Sequence, residues 1–242
     1  TQRNTIQNNP SMKKLLLLFL VSFSFIVSAY ADSRNFSFKV NNTNINVRMP
    51  DGFYESSYIN PEALDMAKTF YPDYLNVHAV LMPKGISDTE RLSRYIILVT
   101  DNNIAKHKLS QKDFNDLREV MREQQFTLMN ELRENINEEI DAGASRISKK
   151  YAMDYIAEIG ETIPLGVFID NEKVMSFNTI TNISVSGDGI SFTYLQAGST
   201  SFVFVKNKVI FVYIYSDFDS EKDIVWIEGK TKELVNLLTK NN

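Results

Sequence analysis

The stretch that decides the fold is Thr200-Ser-Phe-Val-Phe-Val-Lys-Asn-Lys-Val-Ile-Phe-Val-Tyr-Ile-Tyr215. Two runs rich in β-branched and aromatic residues, Thr200–Val205 and Lys208–Tyr215, are separated only by Lys206-Asn207. Because Asn tolerates the positive φ that a two-residue turn requires, this spacing predicts a β-hairpin. The second run is apolar from Val209 onward, which predicts a central strand covered by protein on both faces.

A helix is predicted directly after this hairpin. The corner Asp217–Ser220 offers residues that cap helix N-termini. Four apolar residues then recur on one helical face that can pack back onto the sheet: Ile224, Ile227, Leu234 and Leu238. The C-terminal stretch is therefore predicted to be strand, turn, strand and helix.

The first part of the chain predicts further strands and one short helix. Phe36–Val40 and Ile45–Met49 alternate apolar and polar residues around Asn41–Asn44, which predicts a hairpin with a four-residue loop. Asn60-Pro61-Glu62 is typical of a helix start, and this helix is expected to end before Pro72. Two more strands are predicted at Leu75–Met82, with Leu75, Val77, Ala79 and Leu81 inward, and at Arg94–Thr100.

The longest helix is predicted from the capping-box-like sequence Ser110–Asp113 to a stop at Gly143. Residues 145–159 fit either a further helix or a loop. Strands are predicted at Leu165–Ile169, Val174–Ile183 and Ile190–Leu195. This order of elements predicts a single α+β domain, an antiparallel β-sheet flanked by helices as an α/β/α sandwich.

The N-terminal residues indicate export. From Met12, two lysines, a short apolar run and the small-residue site Ser28–Ala31 are typical of a Sec-type signal peptide cleaved after Ala31. We interpret residues 1–11 as an upstream remnant, 12–31 as the signal peptide and 32–242 as the mature domain. The chain has no cysteine, which excludes disulfides and a lipoprotein anchor. The sequence predicts a periplasmic or secreted protein without a stable membrane anchor after cleavage.

The charge of the mature chain limits its partners. Removing Arg3, Lys13 and Lys14 leaves 23 basic residues against 30 acidic ones, a net charge of −7. Nucleic acids and anionic lipids select basic surfaces. The acidic balance therefore argues against both as the main partner.

Both ends of the mature chain resemble one family. Arg48-Met-Pro-Asp-Gly-Phe53 is similar to the start of the PsbP and DcrB-like proteins. Phe202–Leu238, with Lys206-Asn-Lys208 at its turn, resembles their ending of two strands and an acidic helix. The resemblance implies an α/β/α sandwich in an exported, non-enzymatic accessory, assembly or binding protein. The long helical segment 110–159 departs from the family pattern, and no functional residue is carried across.

The sequence offers few residues for catalysis. His78 is predicted on a strand face without a histidine, cysteine or acid at ligand spacing, which favours a surface or hydrogen-bonded histidine over a metal ligand. His107 lies between Lys106 and Lys108, whose positive charges favour a solvated basic loop over a metal site. No nucleophile elbow, zinc-binding helix, P-loop or dinucleotide fingerprint occurs. Two carboxylates would suffice for a glycosidase, but Glu131, Glu134 and Glu138 share a helix face typical of solvated charge. We predict no catalytic and no cofactor-binding residue.

The acids around the corner at Asp217 come nearest to a metal motif. Five of them occupy the first, third, fifth, seventh and twelfth positions of an EF-hand-like loop: Asp217, Asp219, Glu221, Asp223 and Glu228. Lys222 replaces the glycine of the sixth position, and a strand replaces the entering helix. Acids at a helix start also cap exposed N–H groups and interact favourably with the helix dipole. We therefore predict helix capping and no metal site.

Aromatic residues are the best candidates for binding. One set could line an apolar pocket for a lipid or peptide, or could fill the layer beneath a helix: Phe202, Phe204, Phe211, Tyr213 and Tyr215. A second set near the first short helix could form a binding surface or pack in the core: Tyr54, Tyr58, Phe70, Tyr71 and Tyr74.

These features favour a soluble, non-catalytic binding or accessory protein of the bacterial cell envelope. Its partner would be another envelope protein or a small apolar or peptide ligand. Two alternatives stay open: a secreted hydrolase that uses carboxylates, and a secreted factor that acts on a host or competitor. Two acids facing each other in a deep cleft would favour the hydrolase, and a closed core with an aromatic groove would favour the binder.

Overall fold

The computed structural model describes residues 35–58, 60–85, 92–131, 133–187 and 190–242, and the compact unit that they form spans Asn35–Asn242. The predicted signal peptide at 12–31 and the remnant at 1–11 lie outside the described residues. None of the helices within these ranges combines the length and apolarity needed to cross a membrane.

The described strands form two antiparallel sheets, and helices flank the larger one. The small sheet pairs β1 (Asn35–Val40) with β2 (Thr43–Arg48). The large sheet has the order β3-β4-β5-β9-β8-β7-β6 and contains β3 (Phe53–Glu55), β4 (Leu75–Pro83), β5 (Arg94–Asp101), β6 (Ile156–Asp170), β7 (Val174–Gly187), β8 (Ile190–Val205) and β9 (Lys208–Asp217). The helices are α1 (Pro61–Phe70), α2 (Asn102–Ala105), α3 (Gln111–Glu131), α4 (Arg133–Tyr151) and α5 (Glu221–Lys240). The predicted fold class, α+β with an antiparallel sheet flanked by helices, is confirmed.

The C-terminal hairpin and helix form as predicted. Lys206 and Asn207 have φ angles of 49° and 62°, so the turn between β8 and β9 uses two left-handed residues. Strand β9 is the middle strand of the seven, and Ile210, Val212 and Ile214 are fully buried.

The two faces of the large sheet are covered by different elements. One face, called the α5 face, packs against helix α5 and the β1–β2 hairpin through a continuous aliphatic core. The other face, called the tyrosine face, carries Tyr95, Tyr194, Tyr213 and Tyr215 and lies beneath α1, α3 and α4. Helices on both faces produce the expected α/β/α sandwich.

Several predicted strand boundaries are wrong, including the start of β6, which lies at Ile156 instead of Leu165. The loop of the opening hairpin is Asn41-Asn42 instead of four residues, because Asn41 adopts a φ of 54° and β2 begins at Thr43. Ile190–Leu195 and Thr200–Val205 are one continuous strand, β8. Residues 196–199 between them pair with β7 on one side and β9 on the other, so nothing interrupts the strand.

The inward alternation predicted for β4 is also wrong. A β-bulge shifts the register between Val77 and Ala79. Leu75 and Val77 consequently pack on the tyrosine face, whereas Ala79 and Leu81 are buried on the α5 face. The extra residue of a bulge reverses the face of every later side chain, and a simple period of two cannot show it.

The predicted stop of the long helix at Gly143 is wrong as well. Helix α4, which is described from Arg133, continues through Gly143 to Tyr151. A Cβ atom at Gly143 would lie 2.6 Å from the carbonyl oxygen of Phe70. Glycine at this position therefore permits close packing of α4 against α1 and does not end a helix. Residues 145–159 contain the end of α4 and the start of β6.

Candidate functional site

A pocket of about 350 Å³ lies between the tyrosine face and helices α1 and α4. We call it the tyrosine pocket. Its lining is mainly apolar and consists of Ala63, Met66, Ala67, Phe70, Tyr71, Val80, Leu92, Tyr95, Ile97, Ile140, Ile147, Tyr155, Ala157, Glu158, Ile159, Ile183, Val185, Tyr194, Gln196 and Tyr215. Its volume falls within the range of pockets that bind small molecules.

The helical wall of the pocket is held by local capping and by contacts between α1 and α4. Helix α1 begins where the Asn60 side chain accepts a hydrogen bond from the Ala63 amide at 3.2 Å. The guanidinium of Arg146 in α4 donates to the carbonyl oxygens of Thr69 and Phe70, at 2.9 and 2.5 Å. These carbonyls belong to the last turn of α1, where intrahelical partners are missing. The two helices therefore form a joined wall above the sheet.

The floor of the pocket follows from strand pairing on the tyrosine face. Ile159 of β6 pairs with Ile183 of β7, which pairs with Tyr194 of β8. Directly paired residues project to the same side of a sheet. Gln196 lies two residues after Tyr194 and shares its face, so a polar amide is placed at an apolar floor.

Among the described lining residues, the polar side chains that project into the pocket belong to tyrosines and one glutamine. The Gln196 Nε2 donates to the Tyr95 hydroxyl at 3.2 Å, and Gln196 is only 8 % exposed. The hydroxyls of Tyr71 and Tyr215 form a second hydrogen-bonded pair. The rings of Tyr95 and Tyr215 lie with their centroids 4.9 Å apart. Two hydroxyl-containing pairs therefore lie within a mainly hydrocarbon lining.

The tyrosine hydroxyls of the pocket are uncharged. Burial, with a contribution from neighbouring tyrosines, raises the pKa of Tyr71, Tyr95 and Tyr215 far above the usual value for a phenol. Burial also raises the pKa of Tyr155. At neutral pH each of these groups is a protonated hydroxyl that can both donate and accept a hydrogen bond.

The one carboxylate among the described lining residues, that of Glu158, does not project into the pocket. Ala157 and Ile159 of β6 face the pocket floor, and Glu158 lies between them. Successive side chains of a strand point to opposite faces, so the Glu158 carboxylate is directed to the α5 side of the sheet. The described lining therefore contains no pair of facing acids. Glu138 is exposed on α4, as predicted, and the side chains of Glu131 and Glu134 lie outside the described part.

The first predicted aromatic set divides between pocket and core. Tyr215 lines the pocket. Phe204 stacks on the buried Phe114 of α3 with ring centroids 5.1 Å apart. Phe202 meets Phe211 edge to face at 5.3 Å, and Phe211 and Tyr213 pack against the tyrosine-face core. Most of this set thus fills the layer beneath the helices.

The second aromatic set divides in the same way. Phe70 and Tyr71 line the pocket, Tyr54 packs against the tyrosine-face core, and Tyr74 is 45 % exposed. The side chain of Tyr58 lies outside the described part of the chain.

Sequence reasoning missed Tyr95, Tyr194 and Gln196 as site residues. Phe192, Tyr194 and Gln196 occupy every second position of β8 and therefore share one face. Two aromatic residues followed by an amide on an apolar strand face were the signal that the sequence offered. Nothing local could show that Tyr95, about 100 residues earlier, meets this series across β9.

Neither histidine belongs to the pocket. The His78 Nε2 lies 2.8 Å from the Thr100 hydroxyl, and its ring stacks on Phe38 of β1 with centroids 4.2 Å apart. Burial, with a smaller effect of Lys68, lowers the pKa of His78 to about 4. His78 is therefore a hydrogen-bonded packing residue, as favoured from the sequence. His107 lies in an exposed turn after α2, as predicted.

The acidic corner at Asp217 caps α5. Ser220 is the N-cap residue, and the Asp223 carboxylate accepts hydrogen bonds from the amides of Asp219 and Ser220, each at 3.1 Å. Arg94 forms an ion pair with Asp223 at 3.1 Å. The predicted capping role is confirmed for Asp223. Within the described residues, no group of three or more histidines or acids is arranged to hold a metal ion.

No protein-family model and no curated protein matches this sequence. Among solved structures, the Saccharomyces cerevisiae Ran-binding protein Mog1p aligns with 84 % of this chain and 93 % of its own, at 9 % identity and a TM-score of 0.36. A point mutant of the protein Mog1 aligns with 85 % of this chain and 96 % of its own, again at 9 % identity and a TM-score of 0.36.

Proposed function

We propose that this chain is an exported, non-catalytic binding protein of the bacterial cell envelope that holds a small apolar ligand in the tyrosine pocket. The observation that carries the proposal is the pocket itself, with a volume of about 350 Å³ and a mainly apolar lining. Membership of the PsbP and DcrB-like proteins is part of the same proposal. It is supported by the sequence of the first hairpin and by the strand, turn, strand and helix at the C-terminus.

The hydrolase alternative receives no support from the pocket. Glycoside hydrolysis requires two carboxyl groups on opposite sides of a scissile bond. The one acid among the described lining residues, Glu158, is directed to the other side of the sheet. Binding without chemistry is what neutral aromatic and aliphatic side chains favour.

Export is tested by expressing the full chain in a Gram-negative host. The tripartite segment Met12–Ala31 predicts a periplasmic protein whose N-terminal residue is Asp32. Cell fractionation followed by N-terminal sequencing measures both. Recovery of an intact Met12 terminus in the membrane fraction would contradict the proposal.

Ligand binding is tested by titration with N-phenyl-1-naphthylamine, an uncharged fluorophore that brightens in apolar surroundings. We expect saturable binding to one site. Ala67→Leu adds bulk to the α1 wall of the pocket and should weaken binding at least tenfold, because the added methyl groups occupy the ligand's space. Ala142→Leu, at an exposed position of α4, is the matched control and should leave binding unchanged. Equal affinities of the two variants would show that the dye binds elsewhere.

A further inference from the structure

Among the described lining residues, the side chains that project into the tyrosine pocket are aliphatic, aromatic or amide groups, and the Glu158 carboxylate points away. Transfer of an ion into such surroundings removes its water, which is strongly unfavourable. The carboxylate of Asp217, which is the strand partner of Gln196 and contributes to the raised pKa of Tyr95, adds repulsion against an anion. The lining therefore disfavours a carboxylate or an ammonium group relative to an uncharged group.

The buried end of the pocket nevertheless contains a polar anchor. Gln196 donates one hydrogen bond to Tyr95, and the described residues supply no second partner to either side chain. The Tyr95 O–H hydrogen and the Gln196 carbonyl oxygen are then left as a donor and an acceptor, and the amide keeps a second N–H donor. If the Gln196 amide is flipped so that Oε1 and Nε2 exchange positions, Oε1 accepts a hydrogen bond from the Tyr95 hydroxyl. The unused donor is then on the amide, and the unused acceptor is the phenol oxygen. The pair therefore suits a ligand group that can accept and donate at once.

An amide and a phenol hydroxyl with unused hydrogen-bonding capacity are unfavourable among hydrocarbon side chains unless water or a ligand pairs with them. Water could satisfy them only at the cost of wetting the surrounding hydrocarbon surface. A ligand with one hydroxyl group on a hydrocarbon body would satisfy both atoms and displace water from the rest of the pocket. A hydroxyl is the smallest uncharged group that is both donor and acceptor.

We propose that the ligand is an uncharged aliphatic alcohol, a hydrocarbon body whose single hydroxyl bridges Tyr95 and Gln196. This inference rests on the proposed function, since it names the ligand class of the same pocket. The hydroxyl accepts from one member of the pair and donates to the other, and the hydrocarbon body packs on residues such as Ile159, Ile183 and Val185.

The test is displacement of N-phenyl-1-naphthylamine by four ligands of nearly equal size: 1-octanol, octyl methyl ether, octanoate and octylammonium. At pH 7 we expect 1-octanol to bind best. The ether can accept but not donate, and should bind roughly threefold to tenfold more weakly. Both ions should bind at least about tenfold more weakly than the alcohol because they lose their hydration.

Two variants locate the hydroxyl. Tyr95→Phe keeps the ring and removes the phenol oxygen, and Gln196→Met keeps the length and removes the amide. In each variant 1-octanol should lose its advantage over octyl methyl ether when both ligands are measured against that variant's own affinity for the dye. Tyr213→Phe is the control, because Tyr213 is partly buried on the same face but does not line the pocket. Its ligand series should match that of the wild type.

The outcomes separate the two proposals. Absence of saturable dye binding would overturn both the binding function and the ligand class. Saturable dye binding with octanoate or octylammonium as strong as 1-octanol would overturn only the ligand class. An unchanged preference for 1-octanol in folded Tyr95→Phe and Gln196→Met would show that the hydroxyl is not bound at this pair. The ligand series on the wild-type protein decides the ligand class even if a variant fails to fold.

Discussion

The two faces of strand β9 differ in how closely their neighbours pack. On the α5 face, Ile210, Val212 and Ile214 have no exposed surface, and they pack against helix α5 and the opening hairpin. On the tyrosine face, Tyr213 and Tyr215 are only partly covered, and a pocket of about 350 Å³ remains beside Tyr215. Adjacent residues of one strand thus belong to a closed core and to an open site. The aliphatic face provides stability, and the aromatic face leaves room for a ligand.

The helices that cover the two faces explain this difference in packing. Helix α5 buries Ile227, Leu234 and Leu238 directly on the sheet. Helix α1 contacts the sheet at β4 and helix α4 contacts it at β6, and the two helices are also joined to each other by Arg146 and by the close approach at Gly143. The pocket lies between these two lines of contact, where neither helix packs directly on the strands.

The largest expected effect is a truncation on the closed face. Ile214→Ala should lower the free energy of unfolding by about 2–5 kcal/mol, because surrounding side chains relax only partly into the cavity. Urea denaturation of the mature protein measures the loss. Tyr215→Phe, the neighbouring position on the open face, removes only the hydrogen bond to Tyr71 and should cost about 0.5–1.5 kcal/mol. Equal losses at the two positions would remove the distinction between the faces.

A smaller effect is expected where the helical wall is joined. Gly143→Ala places a methyl group 2.6 Å from the Phe70 carbonyl oxygen and should destabilise the protein by about 1–3 kcal/mol as α4 moves away from α1. Gly229→Ala is the matched control in α5, where a methyl group meets nothing within 4 Å. It should stabilise the protein by up to about 1 kcal/mol through helix propensity. Thermal midpoints that shift in the same direction for both variants would contradict the packing role of Gly143.

The N-terminus of α5 is expected to contribute about 1 kcal/mol, the usual value of a helix cap. Burial opposes ionisation of Asp223, but the amides of Asp219 and Ser220 together with Arg94 outweigh it and lower the pKa of this carboxyl. The ionised form is therefore the stabilising one. Its contribution is present above the unfolded pKa of about 3.9 and is lost as the pH falls through the lower folded pKa.

Asp223→Asn should accordingly destabilise the protein at pH 7, and the difference from the wild type should shrink below about pH 4. Denaturant midpoints measured across this pH range check the prediction. A difference that stays constant down to pH 2 would show that the charge of Asp223 contributes nothing.

The smallest expected effect is that of calcium. Asp223 is engaged in capping, and Glu228 bonds to Asn178 and Lys232, each at 3.1 Å. Titration of calcium into the mature protein should leave the fluorescence of Trp226 and the thermal midpoint unchanged. A saturable change that Asp217→Ala abolishes would restore the EF-hand-like interpretation.

Local chemistry explains the elements that could be predicted from sequence. The Lys206-Asn207 turn, the Asn60 cap of α1 and the Ser110–Asp113 capping box each depend on residues within four positions of one another. The central position of β9 followed from its apolar residues on both faces. Such features require only the steric and hydrogen-bonding preferences of neighbouring residues.

The sequence-based predictions were wrong where residues distant in sequence determine the local structure. From local sequence Gly143 resembles a helix stop, but in the structure it allows α4 to approach Phe70. Strand β8 appears as two strands in the sequence, but residues 196–199 pair with β7 and β9 and make it continuous. The bulge after Val77 depends on pairing with β5. None of these partners is near in sequence, so the local pattern was compatible with the wrong answer.

The sequence by itself determined the class of the fold, the closed aliphatic face and the capped helix that covers it, because period, capping and turn chemistry are short-range properties. Only the tertiary structure decided the tyrosine pocket. Its anchor joins Tyr95 of β5 to Gln196 of β8 across β9, and its wall joins α1 to α4. A pocket is the space left between elements, and that space depends on how far apart the elements are held.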